Sequence, residues 1–336
     1  MKRTEILKLI IKAILHLLIK DFIISNKYRE EFEWVVFFGG NTRSPAMGDA
    51  FFASSLIQSY VIRTGRKICI ISQNDRFSQI FNLFSKVTVF ETKEDVFFNH
   101  SIFVSNKRSV LQKIGINIYS LESMFVNLIL YYLNIELYIR NAGLTDTVNP
   151  LNHFKKYRIQ NFFLRGHFPF AKEEISFGKP DKISYNDLLA AQQAFSNLNL
   201  IPKRTVFMNF ETHFGSVESE ITISQIIDII KKSGFEYIIN TKDENYKGKF
   251  NCIYLPINLL IPFSELCGNI VAWRSGFIDL LSNTNTKKII FYNDGLIPYY
   301  MFDKEYILLG DSLQIYVSHN TDISDIYSKI FSFLSE

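Results

Sequence analysis

Arg274, Ser275 and Gly276 stand between an apolar run, Ile270–Trp273, and a short helical pattern that leads to a second apolar run, Lys288–Tyr292. A strand that ends in a tight turn and opens a helix is suited to holding an anion. The first-turn N–H groups have no intrahelical partner and lie at the positive end of the helix dipole. Ser275 is a candidate N-cap, Gly276 lets a ligand approach the backbone, and Arg274 adds a bidentate positive charge. Together these groups suit a diphosphate. The same residues admit a second reading, a capped helix whose Arg274 pairs with Asp279, and the sequence leaves both open.

Two other places carry groups that could do chemistry. Asp49, in Met47-Gly48-Asp49, follows the apolar run Trp34–Phe38 and the loop Gly39-Gly40-Asn41-Thr42-Arg43-Ser44-Pro45. A carboxylate held there could accept a proton, or could be only an acid favoured by a helix dipole. Asn209, Thr212, His213 and Ser216 form a polar stretch after the run Arg204–Asn209, with His213 the member best suited to a phosphate. Polar surface loops have the same composition. Glu265 could receive a ribose hydroxyl or lie on an exposed helix face. His153, Arg165 and His167 are too loosely spaced for a metal site, and the sequence predicts neither a metal nor a cofactor.

The elements that must position these residues alternate strand and helix. In the first half, strands are predicted at Trp34–Phe38, Lys67–Ser72, Lys86–Phe90 and His100–Ser105. Helices are predicted from about Ala50 to Arg63, with Gly65 as the cap, and at Phe77–Phe84, Lys107–Ile114 and Leu121–Leu133. Residues 143–182 lose periodicity and read as loops and a linker. In the second half, helices are predicted at Ser184–Asn197, Thr222–Ser233, Phe263–Cys267 and Ile323–Phe333. Strands are predicted at Arg204–Asn209, Phe235–Asn240 and Asn251–Leu255, and then at the two runs around Arg274. This alternation implies parallel sheets with right-handed crossovers, in two α/β domains of similar size. The expected boundaries are 26–180 and 181–336, after an N-terminal helix in residues 1–25. Ligands of such folds sit beyond the carboxyl ends of strands, where Asp49, Asn209 and Arg274 fall.

A chain of 336 residues is long enough for two cores, and 47% hydrophobic against 21% charged residues marks it as globular. A net charge of +4 gives no indication of nucleic acid. Three scattered cysteines, Cys69, Cys252 and Cys267, make no disulfide framework, so a cytoplasmic location is expected. The fingerprints of dinucleotide-binding enzymes, P-loop NTPases, zinc proteases and serine hydrolases are all absent.

Residues 4–24 are almost entirely Ile, Leu and Phe apart from Lys8, Lys12, His16 and Lys20, which recur every four residues. The lysines break what a span of about 20 apolar residues would need. Two readings follow: a helix lying in a membrane interface with its lysines toward anionic headgroups, or a helix packed on the domain.

The stretch from Gly39-Gly40 through Met47-Gly48-Asp49-Ala50-Phe51-Phe52-Ala53-Ser54-Ser55-Leu56 resembles the N-terminal signature of heptosyltransferase-type GT-B glycosyltransferases. Glu265-Leu266-Cys267-Gly268, Arg274-Ser275-Gly276 and Asp279-Leu280-Leu281 are similar to bacterial surface-polysaccharide glycosyltransferases of the same fold. Heptosyltransferases proper carry an Asp-Thr-Gly-Pro-type turn where this chain has Arg274-Ser275-Gly276. The resemblance implies two Rossmann-like domains facing a central cleft. It implies sugar transfer from a nucleotide-sugar to a glycan or lipid-linked acceptor, in O-antigen, capsule or lipopolysaccharide synthesis at the inner face of the membrane. Asp49 would be the general base, with Gly48, Asn41 and Arg43 toward the acceptor. Asn209, Thr212, His213, Ser216, Glu265, Arg274, Ser275, Gly276 and Asp279 would meet the donor. The absence of an Asp-x-Asp motif fits transfer without a metal. A non-catalytic scaffold subunit of the same fold is the alternative.

Overall fold

The computed structural model describes residues 8, 11–12, 15–38, 47–94, 100–103, 114–118, 137–141, 178–211, 221–293, 310–318 and 320–336. Contacts divide the chain into two compact units, Met1–Asp181 and Lys182–Glu336.

The first unit opens with helical turns at residues 8, 11–12 and 15, a π-helical stretch His16–Asp21, and helix α1, Phe22–Asn26. Asp21 and Ser25 are buried on its inner side. Ile24 and Tyr28 pack against a cluster of Phe32, Val35, Phe37, Cys69 and Ile71. Then come β1 (Trp34–Phe38), α2 (Met47–Thr64), β2 (Ile68–Ser72), α3 (Asp75–Phe81) and β3 (Thr88–Glu91). Strands β4 (His100–Phe103), β5 (Ile114–Ile118) and β6 (Leu137–Asn141) complete a sheet of order β3-β2-β1-β4-β5-β6. Strands β1 and β2 are buried at every position, as a central parallel strand covered on both faces must be.

Three expectations are corrected here. The helix after β1 starts at Met47 and not near Ala50, so Gly48 and Asp49 lie in its first turn. Ile114 begins a strand where a helix was expected to end. The sheet is not wholly parallel, because β4 runs antiparallel to both β1 and β5. Loop length explains this. Only residues 92–99 separate β3 from β4, and a parallel return needs a crossover of about a dozen residues or more. Residues 119–136 allow one, and β5 and β6 are parallel. The predicted helix at Leu121–Leu133 and most of the predicted loop region 143–182 lie outside the described residues.

The second unit keeps the predicted alternation. Helix α4 (Tyr185–Asn197) is opened by a capping box of Ser184 and Asp187. Strand β7 (Thr205–Asn209) follows, then α5 (Ile223–Lys232), with a second capping box of Thr222 and Gln225. Next are β8 (Glu236–Asn240), α6 (Glu244–Lys247), β9 (Cys252–Ile253), α7 (Ile257–Cys267) and β10 (Gly268–Trp273). The chain continues with α8 (Gly276–Leu281), β11 (Lys287–Asn293), β12 (Ser312–Val317) and α9 (Ile323–Ser335). All the strands pair in parallel, in the order β12-β11-β10-β7-β8-β9. Ile226, Ile227 and Ile230 of α5 and Ile326, Ile330 and Leu334 of α9 cover one face, over Val206, Met208, Val271 and Phe291. Helix α7 is longer than its predicted second half because Pro262 does not stop it. The missing N–H costs one intrahelical bond, but Leu260, Ile261, Pro262 and Phe263 are all buried. Gly268 then turns the chain into β10 at φ 85°, with Lys203 Cα 2.9 Å from where a Cβ would stand, so only glycine fits.

Candidate functional site

In the second unit the strand order reverses between β7 and β10. From β7 the chain steps outward to β8 and β9; from β10 it steps the other way, to β11 and β12. In open α/β sheets the crevice beyond the carboxyl ends at such a reversal is where ligands bind. Two segments emerge there: Asn209 with Phe210 and Glu211 from β7, and Arg274-Ser275-Gly276 from β10. Asn209 stands opposite Ala272 in the register, which sets the two segments side by side. The buried rings of Phe210 and Trp273, 4.7 Å apart, lie directly behind them.

Two buried polar groups at this reversal are left over. Asn209 donates from Nδ2 to the Asn240 carbonyl at 2.9 Å, which fixes the orientation of its amide. Its Oδ1 is buried and has no partner among the described residues. Ser275 occupies the N-cap position in extended conformation, but its hydroxyl makes no capping bond and is likewise buried without a partner among the described residues. A buried polar atom left unpaired costs roughly 1–3 kcal/mol, so such atoms are rare and call for a cause. Asn209 Oδ1 can only accept, whereas Ser275 Oγ can donate or accept. The N–H groups of Gly276 and Phe277 open α8 and are beyond the reach of any intrahelical carbonyl.

Arg274 is not a free cation. Its Nη2 lies 2.8 Å from Asp279 Oδ1, with the two side chains only 6% and 4% exposed. Its Nη1 donates to the Ser275 carbonyl at 3.0 Å. The main-chain N–H of Arg274 donates to Phe291 O at 2.9 Å, which ties the turn to β11. Of the two readings open in the sequence, the pairing with Asp279 is the geometry present. The guanidinium braces the turn.

The structure adds residues that the sequence reading did not single out. Asn240 ends β8 as Asn209 ends β7, and its Oδ1 accepts from Leu255 N at 3.0 Å. A line of amide bonds thus runs across the carboxyl ends of β7, β8 and β9. Glu211 Oε1 accepts from Thr241 Oγ1 at 2.6 Å and Lys242 N at 3.0 Å, joining the loops after β7 and β8. The signal in the sequence is an apolar run closing on Asn, which recurs at Asn293, the last residue of β11.

Glu265 is not brought to this edge. It lies in the last turn of α7, at the amino end of β10, and a six-residue strand separates it from Arg274. At about 3.3 Å per residue that is roughly 20 Å. Its Oε1 accepts from Asn285 N at 3.4 Å, and its carbonyl accepts from Lys203 Nζ at 2.7 Å. Thr212, His213, Ser216, Asn41 and Arg43 lie outside the described residues. Gly48 is buried in the first turn of α2. Asp49 occupies the same turn, and its carboxyl group is outside what is described.

No protein-family model matches the sequence, and no curated protein matches it in sequence. In fold, the chain is similar to ADP-heptose LPS heptosyltransferase II of Escherichia coli. The match has a TM-score of 0.57 at 10% identity and covers 89% of this chain and 98% of that one. It is similar also to a glycosyl transferase of family 9 from Veillonella parvula, with a TM-score of 0.53, 10% identity and coverage of 89% and 96%. At this identity the likeness speaks for the fold, which is the heptosyltransferase-type GT-B fold, with its two Rossmann-like units.

Proposed function

We propose that this chain is a glycosyltransferase that moves a sugar from a nucleotide-sugar to a glycan or lipid-linked glycan in bacterial surface polysaccharide synthesis. The observation that carries the reading is the pair of unsatisfied buried groups, Asn209 Oδ1 and Ser275 Oγ, at the strand reversal of a heptosyltransferase-type fold. The turn Arg274-Ser275-Gly276 holds the donor diphosphate. Ser275 Oγ and the N–H groups of Gly276 and Phe277 donate to its oxygens as negative charge grows on the leaving group. Arg274 keeps the turn in place through Asp279. Asn209 Oδ1 accepts a hydroxyl of the donor. Asp49 takes the proton of the acceptor hydroxyl as that oxygen attacks the anomeric carbon and the bond to the diphosphate breaks. No metal is needed to neutralise the leaving group in this scheme.

The test is a thermal-shift screen of the whole chain against ADP, UDP, GDP, CDP and CMP, with and without magnesium. A ligand that binds only the folded state raises its melting temperature by mass action. The expected result is a shift with one nucleotide, unchanged by magnesium and reduced in Ser275→Ala. No shift with any of them overturns the donor site. One observation favours a second reading, a non-catalytic scaffold of the same fold: Arg274 is already neutralised by Asp279. That reading expects no nucleotide shift and no change on substituting Ser275.

A further inference from the structure

We propose that the N-terminal helix is an in-plane anchor for an anionic lipid bilayer, independently of the transfer reaction. Ile11, Leu15, Ile19 and Ile23 are 49%, 50%, 50% and 56% exposed. Their spacing of four residues sets them in one line along a helix. Lys8, Lys12 and Lys20 are exposed beside them. The carboxyl end of the helix is already engaged. Asp21 and Ser25 are buried, and Ile24 and Tyr28 pack against Phe32, Val35 and Phe37. Packing on the unit therefore accounts for the residues from Asp21 onward and leaves the line of Ile11, Leu15, Ile19 and Ile23 outward.

Charge selects the occupant. No acidic residue occurs between Lys8 and Lys20, and the acid that follows, Asp21, is buried on the inner side. A second copy laid on this face would set lysine against lysine. An anionic bilayer satisfies both components. The four aliphatic side chains enter the acyl boundary, and the lysines extend to the phosphates from their methylene stems. Among the described residues no helix is long and apolar enough to cross a membrane.

Each lysine close to an anionic surface contributes about fivefold to the partition coefficient, so three contribute roughly a hundredfold. The experiment is co-sedimentation of the full chain with vesicles of equal parts phosphatidylcholine and phosphatidylglycerol, and with phosphatidylcholine alone, at two salt concentrations. The wild type is expected to pellet with the mixed vesicles, less so in high salt, and to stay in solution with phosphatidylcholine. The variant Lys8→Glu/Lys12→Glu/Lys20→Glu is expected to lose the binding about a hundredfold or more. Leu15→Asn/Ile19→Asn is expected to lose it with every lysine in place. Melting temperatures equal to wild type show that both variants are folded, since the altered residues are exposed. Equal sedimentation of wild type and the glutamate variant overturns the proposal. So does a wild-type dimer in light scattering that Leu15→Asn/Ile19→Asn turns into monomer, because a second copy would then cover the face.

Discussion

The ion pair of Arg274 and Asp279 offers a direct measure of what the turn after β10 is for. At 2.8 Å, with both side chains less than a tenth exposed, it is a buried pair. Removing one partner of such a pair strands the other as an uncompensated charge, at a cost of about 3–5 kcal/mol. Arg274→Ala also forfeits the bond to the Ser275 carbonyl, worth about 1 kcal/mol. For a unit of this size each kcal/mol shifts the melting temperature by about 2–4 °C, so either single variant should melt roughly 6–20 °C lower. Replacing both residues by apolar side chains of similar volume, as Arg274→Met/Asp279→Leu, removes both charges and should restore most of the loss. The double-mutant cycle, measured by urea denaturation, should therefore give a coupling above about 2 kcal/mol. Additive costs below about 1 kcal/mol each would refute this reasoning. They would mean that the guanidinium is solvated and spends little on Asp279, as exposed pairs do. In that case Arg274 would be free to meet an anionic ligand, and the bracing role assigned to it would be wrong.

Two further outcomes follow from the same structure. Lys288 is fully buried, donating to the Thr284 and Thr286 carbonyls at 2.7 and 3.0 Å, and burial pulls its ammonium from 10.5 down to about 8, against the opposing effect of Asp311 and Glu265. Between those values the unfolded chain holds a proton that the folded chain has released, so stability rises with pH there, by up to about 3 kcal/mol. The difference in unfolding free energy between wild type and Lys288→Met should climb from pH 7 to pH 10, and a flat difference would show that the ammonium is not desolvated. Asp49→Ala should lower turnover by roughly 10²–10⁴ while leaving the nucleotide-induced thermal shift intact; turnover at the wild-type rate would remove Asp49 from the reaction.

What could be read from residues alone was largely what local periodicity controls. The Ile positions of α5 recur on one face, and its capping box, Thr222 with Gln225, stands in the sequence as it does in space. The continuous apolar run of β1 marks a strand covered on both sides. Direction and edge position are set by other quantities. The reversal of β4 follows from the length of the connection before it, not from anything in His100–Phe103. Strand β12 carries a faint signal, since its alternation is confined to its end, with Ile315 and Val317 buried and Tyr316 exposed. Strand β6 carries Arg140 inside a five-residue run and gives as faint a signal. Helix α7 starts at Ile257, ahead of the predicted Phe263, and runs through Pro262, because Ile257, Leu260 and Ile261 are buried there.

The candidate site divides along the same line. A turn between an apolar strand and a helix is a local pattern, and Arg274-Ser275-Gly276 was legible as a place where an anion could sit. Which group would face it was not legible, because Arg274 has a choice between a ligand and a carboxylate five residues on. That choice depends on how deeply Phe277, Ile278 and Leu280 sink α8 into the unit, since a guanidinium carried below the surface with them must be neutralised there. Once Asp279 has taken that role, the Ser275 hydroxyl and Asn209 Oδ1 are two buried groups beside the turn that still lack a partner among the described residues. A sequence motif names the charged residue first. Burial transfers the interest to the two neutral ones beside it, and substituting Ser275 and Asn209 is a sharper test of binding than substituting Arg274, because neither removes a charge that holds the turn.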